Sequence, residues 1–552
     1  MLLPFLSKRE MARAWHVMKV TGRYGLLPLA QASGIGRLFG VRLWRRMERR
    51  WETTSPPVRL RLAITELGTT FIKLGQVLSA RSDLLPPEYL AELSKLQDNV
   101  PPLPFEQLES VFRAAFHFSP FEVFCNFDPK PIASASIGQV YRAQLHDGTP
   151  VVVKIQRPGL ESEVATDLSL MMRVAKLAHK ASSLQRFDLP ALVREFRFIL
   201  QDELIYTLEA HNTETLAREM SNRPKIGLPT VYWQYTSRQV LTTSFVEGVK
   251  ITDFSALAEF AIDRAALAEN LANSLLEQIL LHGLFHGDPH PGNMLVTQDG
   301  TIVFLDTGIV GRLDRKTREL LIELAVAIFD QDIDAILTHL QELGVVIDVD
   351  DLPALRRDLS RLVTKYYFLP RKELRLGELL QRINNLLFEH QIRMAYEFGL
   401  MAKALFVVEG IAQELDANFD YNRAARPVIE MIRLRYYSPK TFIEDSLREL
   451  RGLRRKIVDL PSRLNAVLNV MERGALKVEL KETSAEARHE ANSILVNRIS
   501  FMLLFVGVLI ACTLTLTGHP LIWLRDLALV GLLLDGALLA WLLRAVYRSG
   551  RI

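Results

Sequence analysis

Near the middle of the chain the run His286-Gly287-Asp288-Pro289-His290-Pro291-Gly292-Asn293 is followed, after the apolar stretch TIVFL, by Asp306-Thr307-Gly308. Asp288 and Asn293 stand five positions apart, and Asp306 comes thirteen after Asn293. Phosphoryl transfer needs little covalent help from a protein. It needs magnesium held by a carboxylate and an amide, and a second carboxylate near the attacking oxygen. Asp306 and Asn293 suit the first task and Asp288 the second. Turn-forming Asp, Asn, Gly and Pro are common in loops, which explains any one of these residues alone but not the set in this order.

A cation for the phosphates is expected on an earlier strand. Lys154 in VVVKIQ fits, and it resembles the V-A-I-K lysine of kinases. Its partner is expected to be an acid on a following helix, and Glu203 and Glu209 in DELIYTLEAHN are both candidates. Ahead of Lys154, where a Gly-rich phosphate loop is usual, stands Ala133-Ser134-Ala135-Ser136-Ile137-Gly138-Gln139-Val140. Small residues still admit a ligand close to the backbone, but their Cβ atoms predict a stiffer loop. Gln76 and Gln139 either reach a nucleotide or cap loops. His282, His286 and His290 fall at four-residue intervals. On a helix that spacing would suggest metal ligands, but the intervening Gly and Pro residues interrupt any such helix, so no zinc site is expected.

The elements that must position these groups follow from periodicity. Residues 51–130 read as helical with proline punctuation, and 131–155 as short strands around a His-Asp-Gly turn. Residues 160–220 are helical, 238–248 strand-like and 256–283 helical again; a loop and hairpin carry the Asp288 and Asp306 motifs, and 313–440 is mostly helical. A few strands followed by many helices predicts an α+β, two-lobed fold. The expected units are a basic amphipathic segment (1–60), a helical extension (61–125), an N-lobe (126–250), a helical C-lobe (251–440) and a charged helical connector (441–497).

The chain's 552 residues are 49% hydrophobic and 24% charged, which excludes a disordered protein. Two cysteines, Cys125 and Cys512, exclude a disulfide framework. A net charge of +4 makes no case for a nucleic-acid partner. Residues 1–50 hold eleven Lys or Arg against Glu10 and Glu48. They suit either an anionic membrane surface or a solvated helix packed on the protein body. At the other end, 499–524 has no charged residue, and a second apolar run reaches Leu543 with Asp535 as its only charge after Asp526. A spanning helix needs about 20 apolar residues, so 499–543 is expected to form a transmembrane helical hairpin. Arg498 before it and Arg544, Arg548 and Arg551 after it predict a multi-pass protein of the cytoplasmic (inner) membrane with its main domain facing the cytoplasm. Within such a span Asp535 would need a polar contact.

Phe71-Ile72-Lys73-Leu74-Gly75-Gln76 contains a K-x-G-Q signature, and ASASIGQVY, VVVKIQRPG and HGDPHPGN follow in order over about residues 60–310. With the terminal apolar pair, this pattern resembles the UbiB family of atypical, protein-kinase-like kinases, in the layout of its bacterial ubiquinone-biosynthesis members. The resemblance implies a kinase-like fold whose N-terminal extension covers the active site, and the use of ATP and Mg²⁺. It implies that Lys73, with Gly75 and Gln76, fills the space where a protein substrate would enter and contacts an acidic E-x-D motif. By that match Glu203 pairs with Lys73 and Glu209 with Lys154, while Ile205 stands in the Asp position of E-x-D. Asp-Thr-Gly replaces the kinase D-F-G, keeping the metal carboxylate without the Phe. The function implied is a membrane-anchored kinase or ATPase supporting ubiquinone biosynthesis, through ATP-dependent handling of polyprenyl quinone precursors or membrane lipid alongside other ubiquinone-biosynthesis proteins. Two alternatives are a small-molecule phosphotransferase, which shares the HGD-x-x-x-x-N loop, and a nucleotide-binding scaffold.

Overall fold

The structure is a computed structural model that describes residues 7–26, 54–81, 84–96, 100–179, 188–345 and parts of 352–431. The expected connector 441–497, the apolar pair 499–543 with Asp535, and most of segment 1–60 lie outside the described residues. The strands are β1 (Asn126–Phe127), β2 (Ala133–Ser134), β3 (Gly138–Gln144), β4 (Pro150–Gln156), β5 (Ile226–Gly227), β6 (Val240–Ser244), β7 (Val249–Lys250), β8 (Leu284–His286), β9 (Met294–Val296), β10 (Ile302–Phe304) and β11 (Val310–Arg312).

An antiparallel sheet of order β1-β3-β4-β6, with β2 added beside β3, forms the first half. Side chains alternate across a strand, and β4 shows the consequence. Val151, Val153 and Ile155 are fully buried on one face against Leu108 and Phe112 of the Phe105–Phe116 helix. Lys154, one position out of phase, points to the other face. There the Leu160–Ala178, Leu189–Glu203 and Tyr206–Glu219 helices pack through Val164, Leu168, Phe196, Leu200 and Ala210. The β3–β4 turn closes on Gly148 at φ +88°, with Asp147 accepting the Thr149 N–H at 2.9 Å.

The second half is built on the Arg264–Glu277 and Tyr396–Leu415 helices, which share a core with β9, β10 and Phe285 of β8. The sheet order here is β5-β10-β9-β7, with β8 and β11 as a separate antiparallel pair. After Glu277 the helix continues as one π turn, Gln278–His282, and ends at Gly283 with φ +76°. A Cβ at Gly283 would lie 2.4 Å from the Leu313 carbonyl oxygen, so both conformation and space require glycine.

Two N-terminal helices, Pro56–Leu67 and Thr69–Ser79, meet at Gly68, whose φ of +94° and ψ of −166° only glycine adopts readily. The Lys8–Arg23 helix, opened by a Ser7–Glu10 capping box, packs against both the Leu160–Ala178 helix and this pair. Arg13 makes two bonds to the fully buried carboxylate of Asp167, at 2.7 and 2.8 Å, and a third to the Leu67 carbonyl at 2.8 Å. Of the two readings of the basic N-terminus, residues 8–23 show the packed helix, with Trp15 and Met11 left exposed on it. The expectation of a multi-pass inner-membrane protein is corrected to what is described: among the described residues no helix is long and apolar enough to cross a membrane, and the pair 499–543 on which the expectation rested lies outside them.

Arg13→Ala should leave the Asp167 carboxylate buried without a partner and lower folding stability by about 3–5 kcal/mol. Denaturant midpoints of wild type and variant check this, and a loss below 1 kcal/mol contradicts it.

Candidate functional site

Lys154 leaves β4 and places its Nζ 2.8 and 2.9 Å from the two carboxylate oxygens of Glu209 and 3.1 Å from Oδ2 of Asp306. Three elements far apart in sequence meet in this contact: β4, the first turn of the Tyr206–Glu219 helix, and the end of β10. The ring of Tyr206 lies beneath the ammonium, 5.1 Å from Nζ. With one cation between two acids, the cluster carries an excess negative charge that burial penalises. Burial lowers the affinity of Lys154 for its proton, but Asp306 and Glu209 outweigh it and hold the amine well above its usual range. Burial likewise pushes both acids up. For Asp306 the Lys154 ammonium and the Gly308 N–H reverse this and hold it far below the usual carboxylate range. For Glu209 burial wins over the pull of Lys154 and raises it to about 7.

The Asp306 turn is fastened to the Glu209 helix by hydroxyls. Thr307, fully buried, donates to the Glu209 carbonyl (3.1 Å) and shares a 2.7 Å hydrogen bond with Thr213, while Asn212 donates to the Thr307 carbonyl at 3.2 Å. Asp306 Oδ1 accepts the Gly308 N–H at 2.9 Å. The Asp306 side chain remains 42% exposed, which leaves carboxylate lone pairs open to a ligand. Across the hairpin the Leu305 N–H donates to the Asn293 carbonyl at 2.9 Å, setting Asn293 beside the Asp306 turn. The side-chain amide of Asn293 makes no hydrogen bond among the described residues. A carboxylate and a neutral amide oxygen with spare lone pairs fit a hard, oxygen-seeking cation.

Asp288 sits in the loop after β8. Its own N–H donates to His286 Nδ1 at 3.1 Å, which leaves the His286 proton on Nε2. Burial lowers the His286 pKa and keeps the ring neutral, and its backbone N–H donates to Gln278 at 2.9 Å, so the π turn supports this strand. The other two histidines of the four-residue series turn elsewhere: His282 pairs with Glu219 at 2.5 Å and His290 accepts the Gly292 N–H at 3.1 Å.

The loop Ala133–Val140 covers the Lys154 end of the sheet. Ala133 and Ser134 pair with Val140 and Gln139, the Ala135 N–H donates to the Gly138 carbonyl at 2.8 Å, and Arg157 binds both the Ala135 carbonyl (3.0 Å) and Ser134 Oγ (2.9 Å). The carbonyl of Ser136 accepts from Thr69 at 3.0 Å, and Ile137 is buried in the core beneath. A Cβ at Gly138 would lie 2.3 Å from the Tyr206 hydroxyl, so the loop sits against that group. The buried Gln139 side chain grips Leu103 N–H at 2.5 Å, and Gln76 reaches the Leu96 carbonyl at 3.3 Å; both cap backbone. Lys73, buried in the Thr69–Ser79 helix, pairs with Glu203, and Arg81 pairs with Glu195 at 2.8 Å on the same opposing helix. Gly75 is packed against Leu96, to which a Cβ would come within 2.3 Å. Ile205 forms the N-cap of the next helix.

The ABC1 atypical kinase-like domain matches residues 95–340, and the UbiB helical domain matches 359–420. The "Probable protein kinase UbiB" of Azotobacter vinelandii is 32% identical over 476 residues, covering 85% of this chain and 86% of that protein. The chain belongs to the ABC1/UbiB family of atypical kinases. An uncharacterized protein of Synechocystis sp. is 32% identical over 77% of this chain and 74% of its own length. The Arabidopsis thaliana "Protein ACTIVITY OF BC1 COMPLEX KINASE 8, chloroplastic" is 32% identical over 77% of this chain, which spans 61% of that protein. Relatives thus include a chloroplastic protein.

Two residues of this ABC1/UbiB site escape sequence reasoning. Lys403, from the Tyr396–Leu415 helix, lies 3.0 Å from Asp288 Oδ1 with its side chain 15% exposed. Burial would raise Asp288, but the Lys403 ammonium outweighs it and holds the carboxyl below its ordinary range. A single lysine inside the apolar run GLMAKALFVV was the available signal, since such a residue is rarely buried unpaired. The other is Tyr206, whose buried hydroxyl has no hydrogen-bond partner among the described residues.

Lys403→Met should remove the largest opposition to burial at Asp288 and raise its pKa; carboxyl-carbon NMR titration reads this, and an unmoved Asp288 contradicts it. Glu209 has a folded pKa of about 7 against an ordinary 4.5, so its protonated form favours the folded state. That stabilisation is full below about pH 4.5 and is lost as pH rises through about 7. Glu209→Gln should therefore flatten the fall in stability across this window; parallel melting curves for variant and wild type against pH would contradict it.

Proposed function

We propose that this ABC1/UbiB protein binds magnesium-ATP against Lys154, Asn293 and Asp306 and turns it over with Asp288 as the carboxylate beside the attacking oxygen. The observation that carries this is the contact of Lys154 with Glu209 and Asp306, since a fixed ammonium beside a partly open carboxylate is what a metal-bound polyphosphate requires. Magnesium, when bound, supplies neutralisation of the charge on the phosphate oxygens. Lys154 orients the phosphates. Glu209 orients Lys154. The Ala133–Val140 loop closes over the nucleotide with its backbone anchored by Arg157 and Thr69. Asp288, ionised and held by Lys403, accepts or orients the proton of the attacking hydroxyl or water.

Lys73, Gly75 and Gln76, with Glu203, are proposed to occupy the place where a protein acceptor would approach, which favours water or a small molecule as acceptor. The K-x-G-Q pattern and its companions support a role in ubiquinone biosynthesis, with ATP turnover assisting the handling of polyprenyl quinone precursors.

Asp306→Asn should abolish magnesium-ATP turnover, measured as ADP release by the full chain; an undiminished rate refutes the site. Asp288→Asn should retain nucleotide binding by calorimetry while turnover falls by about 10²–10⁴-fold. Wild-type turnover in that variant would instead favour a nucleotide-binding scaffold.

A further inference from the structure

A cavity of about 550 Å³ lies between the Leu160–Ala178 and Leu189–Glu203 helices, outside the nucleotide site. Its first wall is one stripe of a helix: Ala165, Leu168, Ser169, Met172, Arg173 and Lys176 recur at three- and four-residue intervals. Arg197 and Gln201, one turn apart, form the facing wall. The lining thus holds three cations, two hydrogen-bonding groups and an apolar floor, and no carboxylate.

The positive charge is largely uncompensated. Among the described residues neither Lys176 nor Arg197 makes an ion pair. Arg173 has only Glu10 at 3.7 Å, and that carboxylate is already engaged by the Ser7 N–H and Ser169 Oγ, each at 2.8 Å. Cations that line one concavity repel one another unless an anion joins them, and guanidinium groups bind phosphate and carboxylate oxygens in a fork. The volume is within the range of small-molecule sites and suits a ring-sized body over Leu168 and Met172.

We propose that this cavity binds a compact anionic amphiphile: one phosphate monoester or carboxylate head held by Arg173, Lys176 and Arg197, with an apolar body on Leu168 and Met172. The site occupies the reverse side of a helix already engaged with the N-terminal extension. Glu195 and Glu203, which hold Arg81 and Lys73, leave that helix on the side away from Arg197. The ligand and the Lys73 helix therefore grip one rigid element from two sides.

Titration calorimetry of the full chain with phenyl phosphate as probe tests the site. One equivalent should bind, at least tenfold more tightly than inorganic phosphate, and saturating magnesium-ATP should leave its affinity unchanged. The double variant Lys176→Ala, Arg197→Ala should weaken phenyl phosphate at least tenfold, while Lys176→Arg, Arg197→Lys stays within threefold of wild type. Both variants remove groups that make no ion pair, so their unfolding midpoints should match wild type, which separates lost binding from lost folding. Absent binding, undiminished binding in the alanine double variant, equal affinity for inorganic phosphate, or displacement by ATP would each overturn the proposal.

Discussion

The ammonium of Lys154 joins two carboxylates that are 55 and 152 residues away along the chain, and much of the described structure serves that junction. A buried cation with one acid would be neutral; with two it leaves a negative charge that the interior tolerates poorly. The protein answers this asymmetrically. Asp306 is partly open and accepts a backbone N–H, so it keeps its charge; Glu209 is buried and is raised toward neutrality. The open, charged acid is the one placed beside Asn293. Electrostatic preference and access to a ligand thus select the same residue.

Holding that junction requires the strand, helix and hairpin to be rigid relative to one another. The valines of β4 commit its other face to the core, so Lys154 has only one side on which to emerge. Thr307 then ties the hairpin turn to the Glu209 helix through three hydrogen bonds. In this Asp-Thr-Gly turn a hydroxyl network occupies the position where kinases carry a rotatable Phe. Breaking it would strand buried polar groups, which costs about 1–3 kcal/mol each. The two acids around Lys154 are therefore built to move together.

Much of this was legible because it depends on local pattern. The short-strand pattern placed Lys154 on a strand ahead of the acidic motifs, and the Asp-Gly turn between apolar runs placed the hairpin that brings Asn293 next to Asp306. Choosing between Glu203 and Glu209 was not possible from the residues alone: both lie on helices that the sheet could meet, and only the family pattern separated them. Lys403 was missed for a related reason. It follows Asp288 by more than a hundred residues, and no local periodicity reports which lysine of a later helix will face an earlier loop. Gln139 was ambiguous because a buried amide satisfies its needs equally well on a ligand or on backbone. Its position beside Leu103 is set by the folding of the extension, which strand periodicity does not encode.

The extension also explains why a loop poor in glycine is sufficient. A Gly-rich loop owes its use to freedom, and pays for it in conformational entropy when it closes on a ligand. Here the Ala133–Val140 loop is already fixed from three directions: Arg157 from the end of β4, Thr69 from the Lys73 helix, and the Tyr206 hydroxyl against Gly138. Gly138 must lack a side chain, because a Cβ there would lie 2.3 Å from the Tyr206 hydroxyl and 2.7 Å from the Ile155 carbonyl oxygen. At the other positions Cβ atoms remove conformations that the three anchors forbid anyway, so they stabilise the closed loop by narrowing the alternatives. The same Thr69–Ser79 helix carries Lys73 into Glu203, so loop shape and Lys73 position are set by one element. Displacing that helix would change both together.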